Sequence, residues 1–314
     1  MIGVVQQMMY FSIPLLVVAL GAMFSERSGI INIAMEGIMI MGAFTSVLFL
    51  NISSRFGLAG QLQLILAILI ASATGILFSL LHAYASINMK ADQTISGTAL
   101  NMFAPAFAIF VARVIQGVQQ IQFVNTFRMN VPLLSKIPVI GPMFFENAYI
   151  TTYLGFLILI ISAFVLFRTR FGLRLRACGE NPHAADAAGI NVQRMQYAGV
   201  MISGALGGLG GLIFVVPTSV NFNADVAGYG FLAIAVLIFG QWDPLKILGA
   251  SLFFGIMKAV SASYSSIAFL AGLGISSYFY KMVPYIVTLI VLIFTSRNSR
   301  APKAEGIPFD KGQR

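Results

Sequence analysis

The feature that most constrains this chain is a series of apolar runs, each about as long as a membrane is thick. Runs such as 4–24, 61–87 and 194–216 hold few charged residues, and a helix of about 20 residues crosses the roughly 30 Å hydrocarbon core of a bilayer. Only 9% of the residues are charged and 58% are hydrophobic, whereas an ordinary soluble domain has roughly 25% charged residues. The sequence therefore predicts an all-α polytopic membrane protein.

The apolar runs predict about nine transmembrane helices in one domain, residues 1–296, followed by a tail at 297–314. Residues 265–280 are apolar but short and interrupted by glycine, which is consistent with a re-entrant segment that lines protein instead of lipid. The expected spans are 4–24, 29–50, 61–87, 93–115, 148–167, 194–216, 228–240, 245–262 and 282–296.

Positively charged residues set the expected orientation, because nine spans place residue 1 and the tail on opposite sides of the membrane. With residue 1 outside, most Lys and Arg side chains fall inside, including five arginines in the polar loop 168–196, as the positive-inside rule requires. We therefore expect an external N-terminus, and a loop at 168–196 and a tail in the cytoplasm. The net charge of +9 is explained by these loops facing anionic lipid and does not predict binding to nucleic acid.

Within the polar loop, GENPHAADAAGI has the pattern of a short helix. Asn181 is a candidate N-cap, Pro182 suits the first helical position and Gly189 suits the end. A helix of about two turns is marginal in water and needs packing partners. Two interpretations stay open, a connector on lipid headgroups and a helix that docks on a cytoplasmic partner. Cys178 and His183 do not predict a metal site, since zinc needs about four ligands.

Three sequence blocks carry a family resemblance that extends over essentially the whole chain. The blocks are FSERSGIINIAMEGIMIMGAF, QTISGTALNMFAPAF and RTRFGLRLRACGENPHAADAAGINVQRMQYAGVMISGALGGLGG, in that order. They resemble permease subunits of ABC importers in the branched-chain amino acid, ribose and nucleoside group, and SERSGIINIAMEG is most similar to the purine-nucleoside branch. The resemblance implies an alternating-access permease that is not an enzyme and binds no cofactor itself.

The resemblance also implies partners at a bacterial plasma membrane. A cytoplasmic ATP-binding subunit would use ATP and Mg, a second and longer permease would complete a heterodimer, and an extracytoplasmic lipoprotein would deliver the substrate. The chain has no G-x-x-x-x-G-K-[ST] motif of its own. In this family a coupling helix rests in a cleft of the ATPase. The residues to which that role is carried over are Gly179, Glu180, Asn181, Pro182, Ala184, Ala185, Ala188 and Gly189.

Polar residues inside the apolar runs are candidates for a substrate path. Glu36 lies four residues after Asn32 on one helical face, and a charge at the bilayer centre costs about 2.5–3.5 kcal/mol, so it should face protein or water. Pairing of Glu36 with Arg27 or with another subunit is the open alternative. Amides suit a neutral, hydroxyl-rich solute such as a nucleoside. The candidate path residues are Asn32, Glu36, Gln93 and Asn101.

The run SGALGGLGG predicts a close approach between helices, because small residues at a spacing of four let helix backbones come together. Its position inside an apolar run argues against a phosphate-binding loop. The residues expected at this packing surface are Gly204, Gly207, Gly208 and Gly211.

Other functions stay open on the sequence. Permeases for simple sugars such as ribose, or for branched-chain amino acids, have similar blocks. An ion-coupled secondary carrier would act without an ATPase, but such carriers usually need ionisable groups inside the membrane and often show inverted repeats. An intramembrane enzyme would need clustered catalytic groups, whereas the acids, histidines and cysteine of this chain are scattered.

Overall fold

Helices make up most of this chain, as the apolar runs predict. The structure is a computed structural model that describes residues 2–132, 135, 137–138, 140–264, 276, 279–280, 282–284, 286–287, 289–290 and 300–312. A π-helix at Tyr84–Asn88 extends α3. The α-helices are α1 (Ile2–Glu26), α2 (Met35–Arg55), α3 (Gln61–Ala83), α4 (Gln93–Gln116), α5 (Ile140–Phe144), α6 (Ile150–Arg168), α7 (Arg170–Glu180), α8 (Pro182–Ala187), α9 (Val192–Thr218), α10 (Tyr229–Phe239) and α11 (Pro244–Ser263).

Seven described helices are long and apolar enough to cross a membrane, which confirms an all-α polytopic protein. They are α1, α2, α3 with its π-helical extension, α4, α6, α9 and α11. α10 matches the helix predicted at 228–240, but its 11 residues rise only roughly 17 Å, so this helix alone is too short to cross the hydrocarbon core. The predicted span at 282–296 and the segment 265–280 lie largely outside the described residues.

Helix α2 begins at Met35, so the prediction of a helix from residue 29 is wrong. Residues 27–34, which we call the α1–α2 segment, are non-helical. Gly29 has φ of 95°, a left-handed conformation that glycine adopts without steric cost. Hydropathy did not reveal this break, because the segment GIINIA is as apolar as the helices beside it.

Helix α9 lies at the centre of the bundle, against α1, α2 and α3. The glycines predicted to allow close packing are all buried on it. A Cβ atom added at any of these four glycines would contact α2 or α3, and in several cases it would meet main-chain atoms. The helices therefore approach as closely as their backbones allow. The neighbouring residues on α2 and α3 are Met35, Ile38, Met39, Gly42, Ala71, Gly75 and Ser79.

The two ends of the bundle differ in structure. At one end, strand β1 (Ile121–Gln122) pairs antiparallel with strand β2 (Asn221–Phe222). The other, which we call the basic end, carries α7, α8 and the α1–α2 segment. The sequence did not predict α7, whose first turn is capped where the Gly172 N–H donates to Thr169 Oγ1 at 3.2 Å.

The described part of the predicted tail, residues 300–312, lies against the basic end. The Ala304 N–H donates to the Gly179 carbonyl at 2.9 Å, and the Gly306 N–H donates to the Gly29 carbonyl at 3.1 Å. We call residues 300–312 the strap, because they connect the end of α7 with the α1–α2 segment.

Replacement of Gly208 by Ala is expected to destabilise the bundle. The new Cβ would overlap the main chain of Ala71 and Gly75, and overpacking of this kind costs about 1–3 kcal/mol. Gly249→Ala on α11 is the matched control, because a Cβ there meets nothing within 4 Å and Ala favours a helix over Gly by about 1 kcal/mol. Thermal unfolding in detergent should show a lower Tm for Gly208→Ala only. Equal Tm values for the two variants would contradict this packing.

Candidate functional site

Side chains of α3 and α4 hold the main chain of the α1–α2 segment. The Ile31 N–H donates to Gln93 Oε1 at 2.7 Å, and His82 Nε2 lies 2.8 Å from the Ile31 carbonyl oxygen. With Nε2 as the donor, the His82 Nδ1 atom accepts from the Ser96 hydroxyl at 2.9 Å. The non-helical main chain therefore finds partners inside the bundle, where water is scarce.

Asn101 of α4 makes the second set of contacts with the same segment. Its Nδ2 donates to the Ile33 carbonyl at 2.8 Å, and its Oδ1 accepts from the Gly37 N–H at 2.7 Å. Both polar atoms of this amide are thus engaged where α2 begins. The geometry makes Asn101 a brace for the start of α2.

Asn32 and Gln93 each keep one polar atom without a hydrogen-bond partner among the described residues. Asn32 is fully buried, and its Nδ2 donates to Ser203 Oγ of α9 at 2.9 Å. Its Oδ1 acceptor and the Gln93 Nε2 donor are the unpaired atoms. Buried polar atoms without partners cost about 1–3 kcal/mol each, so these two atoms have the chemistry to receive a water molecule or a polar solute.

Glu36 of α2 binds the beginning of α10. Its Oε1 accepts from the Gly228 N–H at 2.9 Å, and its Oε2 accepts from the Gly230 N–H at 2.6 Å. A carboxylate is favourable here, because the first N–H groups of a helix lack partners within it and carry a partial positive charge. Arg27, the alternative partner considered for Glu36, lies instead 3.9 Å from Glu180.

Helix α8 has the capping that its sequence predicts. Asn181 Oδ1 accepts from the Ala184 N–H at 3.0 Å, Pro182 is the first helical residue, and Gly189 has φ of 80°. The helix is six residues long. The exposed candidate coupling residues are Glu180, Asn181, Ala184, Ala188 and Gly189, and the buried ones are Gly179, Pro182 and Ala185.

The buried residues of this group fix α8 to the bundle. A Cβ at Gly179 would meet the Arg27 main chain at 2.5 Å and Pro302 of the strap at 3.2 Å, so only glycine fits there without a shift. Ala185 packs in a small cluster with Cys178 and Val192. Two open cavities, of about 530 and 650 Å³, flank residues 189–191 beside α8.

Cys178 is buried, and this environment disfavours its thiolate form. Burial raises the pKa of its thiol to about 11, whereas metal binding and nucleophilic attack require the thiolate. His183 lies next to Phe309, with 5.1 Å between the ring centroids. In the part of the chain that the structure describes, no three His, Cys, Asp or Glu residues are grouped so as to hold a metal ion.

A cluster that the sequence did not predict joins three distant parts of the chain at the basic end. Trp242 Nε1 donates to Glu26 Oε2 at 2.6 Å, and the Arg27 guanidinium donates to the Trp242 carbonyl at 3.1 Å. Glu305 of the strap hydrogen-bonds to Glu26, and burial raises the pKa of Glu305 although Glu26 and Arg27 act in the opposite direction. Residues so far apart in sequence gave no signal before the fold was known.

Comparisons with known proteins agree with the family resemblance of the three sequence blocks. The profile of a family described as branched-chain amino acid transport system, permease component, matches residues 4–292. The chain is 44% identical to the guanosine ABC transporter permease protein NupQ of Bacillus subtilis, over 99% of this chain and 97% of that protein. No solved structure matches the chain significantly.

Two relatives come from one organism, Lactococcus lactis. The chain is 43% identical to its nucleoside ABC transporter permease protein NupC, over 99% of this chain and 97% of that protein. It is 24% identical to its nucleoside ABC transporter permease protein NupB, over 78% of this chain and 68% of that protein. The two Lactococcus proteins thus differ strongly in their similarity to this chain.

Replacement of Glu36 by Gln is expected to loosen the start of α10. The amide keeps one acceptor but turns its N–H₂ group towards a main-chain donor, and a hydrogen bond to a charged group contributes about 1.5–3 kcal/mol. Asp225→Asn is the control, since Asp225 is exposed and the new side chain keeps an oxygen for the Ala227 N–H. The measurements are Tm and the rate of proteolysis at 222–228. Unchanged values for Glu36→Gln would contradict the anchoring role.

Proposed function

We propose that this chain, which belongs to the family of branched-chain amino acid transport system permease components, forms part of the translocation path of an ATP-driven nucleoside importer. The observation that carries this proposal is the near-full-length similarity to permeases named for guanosine and for nucleosides. Permeases for ribose-like sugars or branched-chain amino acids are the alternative within the same family. A secondary carrier that acts alone is disfavoured, because the relatives are named as ABC transporter permeases.

The role proposed for α8 is to dock in a cleft of a cytoplasmic ATPase subunit. In support, Glu180, Ala184 and Ala188 are exposed, while the buried residues of the same segment attach it to the bundle. The small exposed alanines let a partner approach the helix closely. ATP and Mg would be used by that partner, and this chain would convert the movement of α8 into a movement of its spans.

The proposed path passes the polar cluster at the α1–α2 segment. Asn32 Oδ1 and Gln93 Nε2 offer one acceptor and one donor without partners among the described residues, a pair that suits the hydroxyls or the base edge of a neutral nucleoside. Glu36 and Asn101, whose polar atoms already bind main chain, would shape the path by bracing α2 and α10. Alternating access would expose the unpaired atoms.

The proposed assembly contains a second permease and a substrate-binding lipoprotein at a bacterial plasma membrane. Two nucleoside permeases of Lactococcus lactis resemble this chain to different degrees, which supports a heterodimer. At the end opposite the basic end, a cavity of about 800 Å³ is lined by amides of Gln116, Gln119 and Gln122 and by Arg55. With residue 1 outside, this cavity would face the lipoprotein and the strap would lie in the cytoplasm.

Uptake by cells that carry the complete importer tests the substrate. Accumulation of labelled guanosine and adenosine should depend on this permease, because similarity to nucleoside permeases carries the proposal. Ribose and leucine are the comparison solutes. Uptake of leucine or ribose in place of nucleosides would overturn the proposed substrate, and uptake without any ATPase subunit would overturn the ATP-driven mechanism.

Introduction of a charge on the exposed face of α8 tests the docking role. Ala184→Glu should reduce copurification of the ATPase subunit by at least about tenfold, because an unpaired carboxylate buried in a docking cleft is strongly unfavourable. Gln119→Glu adds the same charge at an exposed position near the opposite end and should leave copurification unchanged. Both variants should insert into the membrane normally. Full copurification of the Ala184→Glu permease would contradict docking through α8.

A further inference from the structure

The strap touches several separate parts of the basic end. Main-chain hydrogen bonds join Ala304 to Gly179 and Gly306 to Gly29, and the Arg300 N–H donates to Gln241 Oε1 at 3.0 Å. The strap therefore binds the end of α7, the α1–α2 segment and the turn between α10 and α11.

Charged residues extend these connections to α8 and to the α3–α4 loop. Asp310 Oδ2 lies 2.8 Å from Lys90 Nζ, in the short loop between the π-helix and α4. Lys311 Nζ lies 3.8 Å from Asp186 Oδ1 of α8. Exposed ion pairs are individually weak, but here they close a connection that the main-chain hydrogen bonds have already positioned.

Apolar contacts place the strap directly beneath α8. Phe309 packs against the buried cluster of Cys178, Ala185 and Val192, and its ring also lies next to His183. One face of α8 thus rests on the strap, while Ala184 and Ala188 stay exposed.

We infer that the strap is a positioning element that transmits movement of α8 to α1, α2 and α4. The inference rests on the proposed function, because it assumes that a partner ATPase moves α8. Without the strap, α8 would be connected to the spans through α7, whose end contacts Arg27, and through α9. The strap also connects α8 to Gly29, which lies between α1 and α2, and to Lys90, which lies just before α4. The strap thus links the docking helix to the segment that carries Asn32.

Cys178 provides a direct measure of strap closure. It is the only cysteine of the sequence, it is fully buried, and Phe309 packs on its cluster. Burial shields the sulfur from reagents and raises the pKa of the thiol to about 11, so labelling should be slow while Phe309 covers the cluster. The rate of maleimide labelling of the native importer therefore reports release of the strap and requires no transport activity.

Substitutions at the ion pair between Asp310 of the strap and Lys90 of the α3–α4 loop test the inference. Asp310→Lys and Lys90→Asp, made separately, should each raise the labelling rate of Cys178 by roughly fivefold, as expected for loss of a favourable exposed ion pair. The double exchange of the two charges should restore slow labelling. Lys303→Asp is the matched control, because Lys303 is exposed and has no ion pair within the described part of the chain.

Transport efficiency is the second readout. In proteoliposomes that hold the complete importer, nucleoside transported per ATP hydrolysed should fall in each single variant and recover in the double exchange, with the ATPase still bound. Faster labelling with an unchanged ratio, or no effect in either measurement, would overturn the inference. A wrong substrate can be distinguished from a wrong inference about the strap. If only the substrate is wrong, the wild-type importer moves no nucleoside, but Cys178 labelling in the variants still follows the charge exchange.

Discussion

The arrangement of this permease depends on one requirement: main-chain polar groups that leave a helix inside a membrane protein must be satisfied within the protein. The α1–α2 segment is non-helical, and side chains of α3 and α4 form hydrogen bonds with its main chain at Ile31 and Ile33. Since Gln93 and Asn101 can do so only from one position of α4, the break fixes α1, α2, α3 and α4 relative to one another. The close glycine contacts of α9 then complete the central bundle.

Much of the fold followed from the sequence, because apolar length and capping chemistry are local properties. Most spans, and the cap of α8 at Asn181 and Pro182, could be read in that way. The non-helical stretch after Gly29 could not, because the apolar run GIINIA continues into α2 without a change in hydropathy. The strap resembles a charged tail in composition, and only its contacts with Gly29 and Gly179 show that it is packed.

The sequence singled out polar residues that meet in the structure, but it did not predict which groups they contact. Asn32, Gln93 and Asn101 come together around one segment, as expected of polar groups that cannot face lipid. A sequence does not reveal whether an amide points at main chain or at a path, because both uses require the same residue. His82 and Ser96 belong to the same cluster, and neither was distinguishable beforehand from any other polar residue in an apolar run.

The position of Glu36 has a consequence for the charge of the solutes that can pass. Transporters often aim the start of a half-length helix at an anionic group of their cargo, and α10 is a short helix of this kind. Here the permease's own carboxylate already occupies that place. Along the proposed path, a phosphorylated solute would meet a neutralised helix end with a negative charge beside it. Electrostatic repulsion by Glu36 would then discriminate against nucleotides in favour of neutral nucleosides.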